Sequence, residues 1–318
     1  MTAGTKSLSA GRRWVATAVI ALAIATGAAA PASAGNYEVR ACDAAPGYVN
    51  HSWVAEQNHG GMAIYAECPS GGFDTGLVIR HVGSPSGYTV PSGSAARWFF
   101  SAPAGAAIVG VRMNARFEQW SHRWQVGLSN GSTLLDGCWA TPTNTGGTCG
   151  SYWTEADYTP VPGNQTIYTE MYCVYGPCPV SWNLSTPGNV WARAIMSAVT
   201  VTISDGTLPG VSITGGGAVA GGWRRGVQGV SFDTSDNVGV KYVRVLVGDR
   251  EAARQDRPCD FTQRAPCTNG PGSLEINTAN FADGRHTLSV QSTDGADNTG
   301  GDSRELLIDN TPPGQPDA

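Results

Sequence analysis

Gly127-Leu-Ser-Asn-Gly131 has the G-x-S-x-G spacing of a serine nucleophile. That device needs a strand that turns sharply into a helix, so that the hydroxyl stands clear of the backbone. Here Asn130-Gly131 leads into Ser-Thr-Leu-Leu, a returning strand, and Asn-Gly supplies the positive φ angles of a tight hairpin. The segment is therefore read as a hairpin without a nucleophile. The histidines His51, His59, His81, His122 and His286 are scattered, with no pair at metal-ligand spacing. Each is expected at the surface or in a hydrogen bond.

Glycoside cleavage needs two carboxylates that flank one bond. Glu155-Ala-Asp157 begins like the E-x-D segment of sandwich-fold glucanases, but Tyr158-Thr-Pro160 brings no third acid. Glu118 and Glu170 fall on expected strands, where single glutamates usually face solvent. No catalytic residue is assigned. Asp233, Asp236 and Asn237 in one loop, and Asp294, Asp297, Asn298 and Asp302 in another, offer the hard oxygen ligands that calcium takes. Asp and Asn also simply tolerate turn geometry. The expectation is turn chemistry, with no metal or other cofactor; calcium at a domain junction is the competing reading.

The aromatic content gives the strongest indication of recognition. Trp120-Ser-His-Arg-Trp124 and Tyr152-Trp-Thr-Glu-Ala-Asp-Tyr158 combine rings with polar groups, as surfaces that stack a sugar and bond its hydroxyls do. Trp124 lies on the apolar side of its strand and belongs to the core, whereas Trp120, His122 and Trp153 sit beside turns and are the candidate ligand-binding residues.

These groups must be held by something, and destination comes first. Lys6, Arg12 and Arg13, the apolar run from Trp14 to Thr26, and Ala32-Ser-Ala34 have the three parts of a secretory signal peptide, residues 1–34. The leader holds three of the 20 basic residues and none of the 25 acidic ones, leaving a net charge of −8. A phosphate-binding surface would need the opposite sign, so neither nucleic acid nor anionic membrane is an expected partner. All eight cysteines follow the leader, which argues for disulfides rather than metal ligands. Spacing alone leaves the connectivity open; proximity favours Cys42–Cys68, Cys138–Cys149, Cys173–Cys178 and Cys259–Cys267.

Strand signals recur at Met62 to Ala66, Leu77 to Val82, Arg97 to Ser101, Ala107 to Phe117, Arg123 to Ser129, Thr133 to Trp139, Thr166 to Val174 and Val190 to Ile203. They predict a jelly-roll-like β-sandwich over 35–205. Beyond Ser204-Asp-Gly-Thr-Leu-Pro-Gly210 the composition changes: eight of the nine tryptophans after the leader precede this run and only Trp223 follows. Val227 to Phe232, Lys241 to Val247, the alternating Thr287 to Gln291 and Arg304 to Ile308 predict an immunoglobulin-like β-sandwich over 206–312, with Asp294 to Asp302 a connection and 313–318 a tail.

Gly222-Trp-Arg-Arg-Gly226, Ser235-Asp-Asn-Val-Gly-Val240, Asn277-Thr278, Asp283-Gly-Arg-His-Thr287 and Ile308-Asp-Asn-Thr-Pro-Pro313 resemble the immunoglobulin-like modules repeated in secreted and surface proteins of actinobacteria. The resemblance covers the second domain and implies a spacer or adhesive unit without catalytic residues. The expectation is an all-β protein, secreted or at the cell surface, that binds an extracellular glycan or surface protein without turnover and without inserting in a membrane. An extracellular carbohydrate-active hydrolase or lyase is the alternative.

Overall fold

The computed structural model describes residues 35–45, 47–69, 75–82, 87–142, 149–150, 154–158, 165–180 and 191–314. The leader, Trp153 and the side chain of Cys149 lie outside the described residues. The chain is all-β. The first fourteen strands are β1 (Gly35–Ala41), β2 (Val54–Gln57), β3 (Met62–Ala66), β4 (Leu77–His81), β5 (Thr89–Val90), β6 (Ala95–Ser101), β7 (Ala106–Gln119), β8 (Trp124–Ser129), β9 (Leu134–Cys138), β10 (Cys149–Gly150), β11 (Thr154–Tyr158), β12 (Thr166–Cys173), β13 (Cys178–Pro179) and β14 (Ala192–Asp205). Twelve of them form a jelly-roll-like sandwich of a seven-stranded sheet (β1, β3, β4, β7, β10, β11, β14) and a five-stranded sheet ordered β2-β6-β12-β8-β9, while β5 and β13 pair with each other in a separate two-stranded sheet.

The inward positions of both sheets share one core, with Val111, Met113 and Phe117 from the first sheet meeting Phe100, Trp124, Val126 and Leu128 from the second. Strand β14 is the spine of the larger sheet. One side pairs with β7 along its length, while the other pairs first with β4 and then with β1. The exchange of partners falls at a bulge where Ala198 takes φ 48° and donates its N–H to Cys42 O at 2.7 Å.

The remaining strands are β15 (Gly210–Gly215), β16 (Trp223–Arg224), β17 (Val227–Ser235), β18 (Val240–Val247), β19 (Arg250–Asp256), β20 (Gly270–Asn277), β21 (Gly284–Asp294) and β22 (Thr299–Ile308). They make an immunoglobulin-like sandwich, with sheets β15-β17-β20 and β16-β22-β21-β18-β19. Its own core gathers Phe232, Val243, Val245, Ile276, Leu288, Val290 and Ile308. The expected connection from Asp294 to Asp302 is shorter than read, because β22 already begins at Thr299. Thr293 and Thr299 exchange a hydroxyl hydrogen bond of 3.0 Å across the strand pair, so glycine and polar composition did not prevent pairing there.

Three of the favoured disulfides are present, Cys42–Cys68, Cys173–Cys178 and Cys259–Cys267. Cys138 is also disulfide-bonded. No strand pairing joins the two sandwiches among the described residues, yet those residues form one compact unit. Val238 and Ala296 of the second sandwich are buried in the core of the first, and Phe261, inside the loop closed by Cys259–Cys267, packs on it. The same loop accepts hydrogen bonds at Phe261 O from Arg40 N (2.8 Å) and at Arg264 O from the Tyr37 hydroxyl (2.7 Å).

His81 is fully buried against the Trp124 ring, with centroids 5.0 Å apart. Burial pushes its imidazole down to about 3. The folded state thus rejects a proton that the unfolded chain takes up near pH 6.5, so stability that is complete above pH 6.5 is lost as pH falls towards 3. The slope contributed is about 1.4 kcal/mol per pH unit. His81→Gln is expected to flatten this acid limb when urea unfolding is measured across the range; an unchanged slope would assign the limb to other groups.

Candidate functional site

The outward face of the five-stranded sheet carries one row in register: Glu56 on β2, Arg97 on β6, Glu170 on β12, Gly127 on β8 and Gly137 on β9. The two glycines are required by close backbone approach, since a Cβ on Gly127 would stand 2.0 Å from Asp136 O and one on Gly137 would stand 2.2 Å from Val126 O. Beside Glu170 on this face a trough opens. A cavity of about 240 Å³ occupies it, bordered by Arg97, Glu170, Gln125, Tyr172, Ser129 and Trp139.

Arg97 Nε lies 3.0 Å from Glu170 Oε2, a charge contact rather than an aligned hydrogen bond. The guanidinium also stands over the Tyr168 ring at 5.5 Å. Stacking and charge together hold Arg97 across the floor and bury Glu170, which is 6% exposed. Trp139, just past the end of β9, is 58% exposed and is the one large apolar ring among the described residues of the rim. Its neighbour Cys138 points inward, so the alternation of the strand turns Trp139 to the polar face.

Of the residues expected from sequence to bind ligand, none described lines this trough. Trp120 is half-buried past the end of β7, with its N–H bonded to Trp191 O at 2.9 Å. His122 lies in the following turn, where its carbonyl accepts from Thr141 N at 2.8 Å. Trp153 lies outside the described residues. Trp139 was legible as an aromatic out of phase with the inward positions of its strand, but its partners come from three other strands. Trp124 is core, as expected, at 0% exposure.

The carboxylates separate. Glu170 is the only acidic group of the described residues bordering the trough. Glu118 lies on the other sheet, between Arg116 Nη2 at 2.6 Å and Arg193 Nε. Ser129 ends β8 in a hairpin, where Asn130 Oδ1 accepts from Thr133 N at 2.8 Å, and no helix follows, so the G-x-S-x-G spacing has a backbone cause. Of the histidines, His51 bonds to Thr262 Oγ1 in the loop clipped by Cys259–Cys267 (2.8 Å), and His286 to the nearby Ala282 O (2.7 Å).

The acidic loops sort differently. Asp297 pairs with Lys241, and Asp302 receives Ile213 N and Arg304. Asp233 receives the N–H of Thr234 at 2.9 Å. Asp236 and Asp294 instead converge with Asp205, the last residue of β14, with one carboxylate oxygen of each within 4.8 Å of the others. Burial pushes Asp236 up to about 6 and raises Asp294 as well, with neighbouring carboxylates adding to both shifts.

No family model and no curated protein matches the sequence. Solved structures with some likeness include fibronectin(III)-like modules of CbhA from Clostridium thermocellum (14% identity, 74% of this chain and 95% of that one, TM-score 0.27). The adhesin domain of Epf from Streptococcus pyogenes is another (12% identity, 89% and 94%, TM-score 0.28). A third is the glycoside hydrolase domain of Endo-D from Streptococcus pneumoniae R6 (6% identity, 80% and 37%, TM-score 0.23). At such scores the likeness carries no argument about this chain.

Proposed function

We propose that the chain is an extracellular binding or adhesion protein whose first sandwich takes a carbohydrate in the trough of its five-stranded sheet, with the second sandwich presenting it. The observation that carries this is Trp139, an exposed ring beside the charged floor made by Arg97 and Glu170. An apolar sugar face stacks on such a ring, while Arg97, Glu170, Gln125 and Ser129 supply donors and acceptors for hydroxyls. At about 240 Å³ the trough falls below the ~300–1,000 Å³ of pockets that enclose a drug-sized molecule, and so suits one ring of a longer glycan lying across the sheet. A single carboxylate there favours holding over hydrolysis, which needs a pair.

The disulfides fit an oxidising destination, and the leader supplies the route. The immunoglobulin-like part is read as a member of the actinobacterial surface modules that it resembles in sequence.

The test is a glycan array probed with the full chain and with Trp139→Ala, read for both retention and released product. Retention is expected on a polysaccharide, falling at least about 30-fold in the variant, as for a central aromatic contact. The melting temperature should stay the same, because the ring packs little. Undiminished retention by Trp139→Ala would exclude this trough, and product that disappears in Glu170→Gln would make the protein an enzyme.

A further inference from the structure

We infer that the trough selects uncharged sugars with free hydroxyls on adjacent ring carbons, one hydroxyl donating to Glu170 and its neighbour accepting from Arg97. This rests on the carbohydrate reading and names the class of sugar that the same site takes.

The floor sets a fixed acceptor beside a fixed donor. Glu170 of β12 and Arg97 of β6 are register partners, so the sheet itself holds them side by side. Arg97 Nε stands 3.0 Å from Glu170 Oε2 but is enclosed without an aligned acceptor, and no described residue donates a hydrogen bond to the Glu170 carboxylate. The ion pair therefore leaves hydrogen-bonding capacity of both partners unused. The Glu170 side chain is only 8% exposed and borders the trough, whereas Arg97, at 31%, keeps terminal nitrogens within reach of a ligand. The Tyr168 ring under the guanidinium, at 5.5 Å, fixes its position before anything binds.

An ionised carboxylate only accepts and a guanidinium only donates, while a hydroxyl does both. Two hydroxyls on adjacent carbons thus meet the pair with one donated and one accepted bond, each charge-assisted. Hydroxyls separated by a linked carbon reach one partner and leave the other unmet, at the cost of a desolvated group without a bond.

Charge narrows the class further. The charges of Arg97 and Glu170 cancel, and Gln125, Ser129, Ser132, Thr133 and Tyr172 around them are neutral. In a space of about 240 Å³, a uronate carboxylate would be pressed against Glu170 and an ammonium against Arg97. The net negative charge of the chain adds to the first of these penalties.

The experiment applies the full chain to immobilised polysaccharides. Amorphous cellulose, amylose and linear mannan are uncharged and keep adjacent free hydroxyls on their chain rings. In curdlan the linkage takes the middle hydroxyl of each ring, polygalacturonate is anionic, and chitosan is cationic. Retention is expected on a member of the first group, at least about tenfold stronger than on the other three. Equal retention on curdlan or on a charged polymer would overturn the inference; if that retention fell in Trp139→Ala, the carbohydrate reading would stand. Retention on none of the first group would also overturn the inference, whereas the carbohydrate reading falls only if the wider array retains nothing. Glu170→Gln should lose at least about tenfold on the first group and gain retention on polygalacturonate, because Arg97 then lacks its counter-charge. Equal losses on every polymer would give Glu170 a structural role and overturn the contact. The polymer comparison uses the unaltered chain, so it remains decisive where the variant fails to fold.

Discussion

Trp124→Ala is expected to cost about 3–5 kcal/mol of stability, the range for deleting a fully enclosed large ring. Trp124 is 0% exposed and lies where the two sheets of the first sandwich meet, its ring against His81 of β4. Its indole N–H donates to Pro179 O at 2.9 Å, and its carbonyl receives the Gln119 amide. Alanine would leave a cavity and an unpaired carbonyl oxygen together, and extended strands on both sides cannot close over the gap. Urea unfolding followed by circular dichroism should show the loss. A cost under about 1 kcal/mol would mean that the site refills and that the sandwich is not close-packed there.

Glu118→Ala should be nearly as severe, about 3–5 kcal/mol, for an electrostatic reason. The Glu118 side chain is 6% exposed and stands between the guanidinium groups of Arg116 and Arg193, themselves 12% and 18% exposed. Its removal leaves two sheltered like charges without the carboxylate that both use. The exposed pair Arg285–Glu305, at 74% and 48%, provides the comparison: Glu305→Ala should change stability by no more than about 1 kcal/mol. Should the two variants prove equal, the burial of Glu118 would have no energetic weight.

Both residues also show what could be read from sequence. Trp124-Gln-Val-Gly-Leu-Ser129 alternates apolar and polar residues, so period alone assigns Trp124 inward. Val240–Val247 was legible for the same reason. The strands β5, β10 and β13 are two residues long and too short to have a period. β1 is different: Tyr37, Val39 and Ala41 alternate inward, a period-2 signal that the apolar leader directly before it masks.

The trough and the acidic junction were less legible, since each is assembled by register between strands far apart in the chain. Trp139 meets Arg97 and Glu170 only because β12 lies between β6 and β8. Asp205 was read as part of a connector, while Asp297 and Asp302 were grouped with Asp294 by proximity in sequence. Folding parts them, because a turn points neighbouring side chains in different directions and recruits a carboxylate from another sandwich. The disulfides were accessible because each described bridge closes a short local loop.

The loop clipped by Cys259–Cys267 reaches from the immunoglobulin-like part to the backbone of β1 and to Tyr37. A tether made of such parts would act as a stiff lever rather than as beads on a string, so tension applied at one end would arrive undamped at the other.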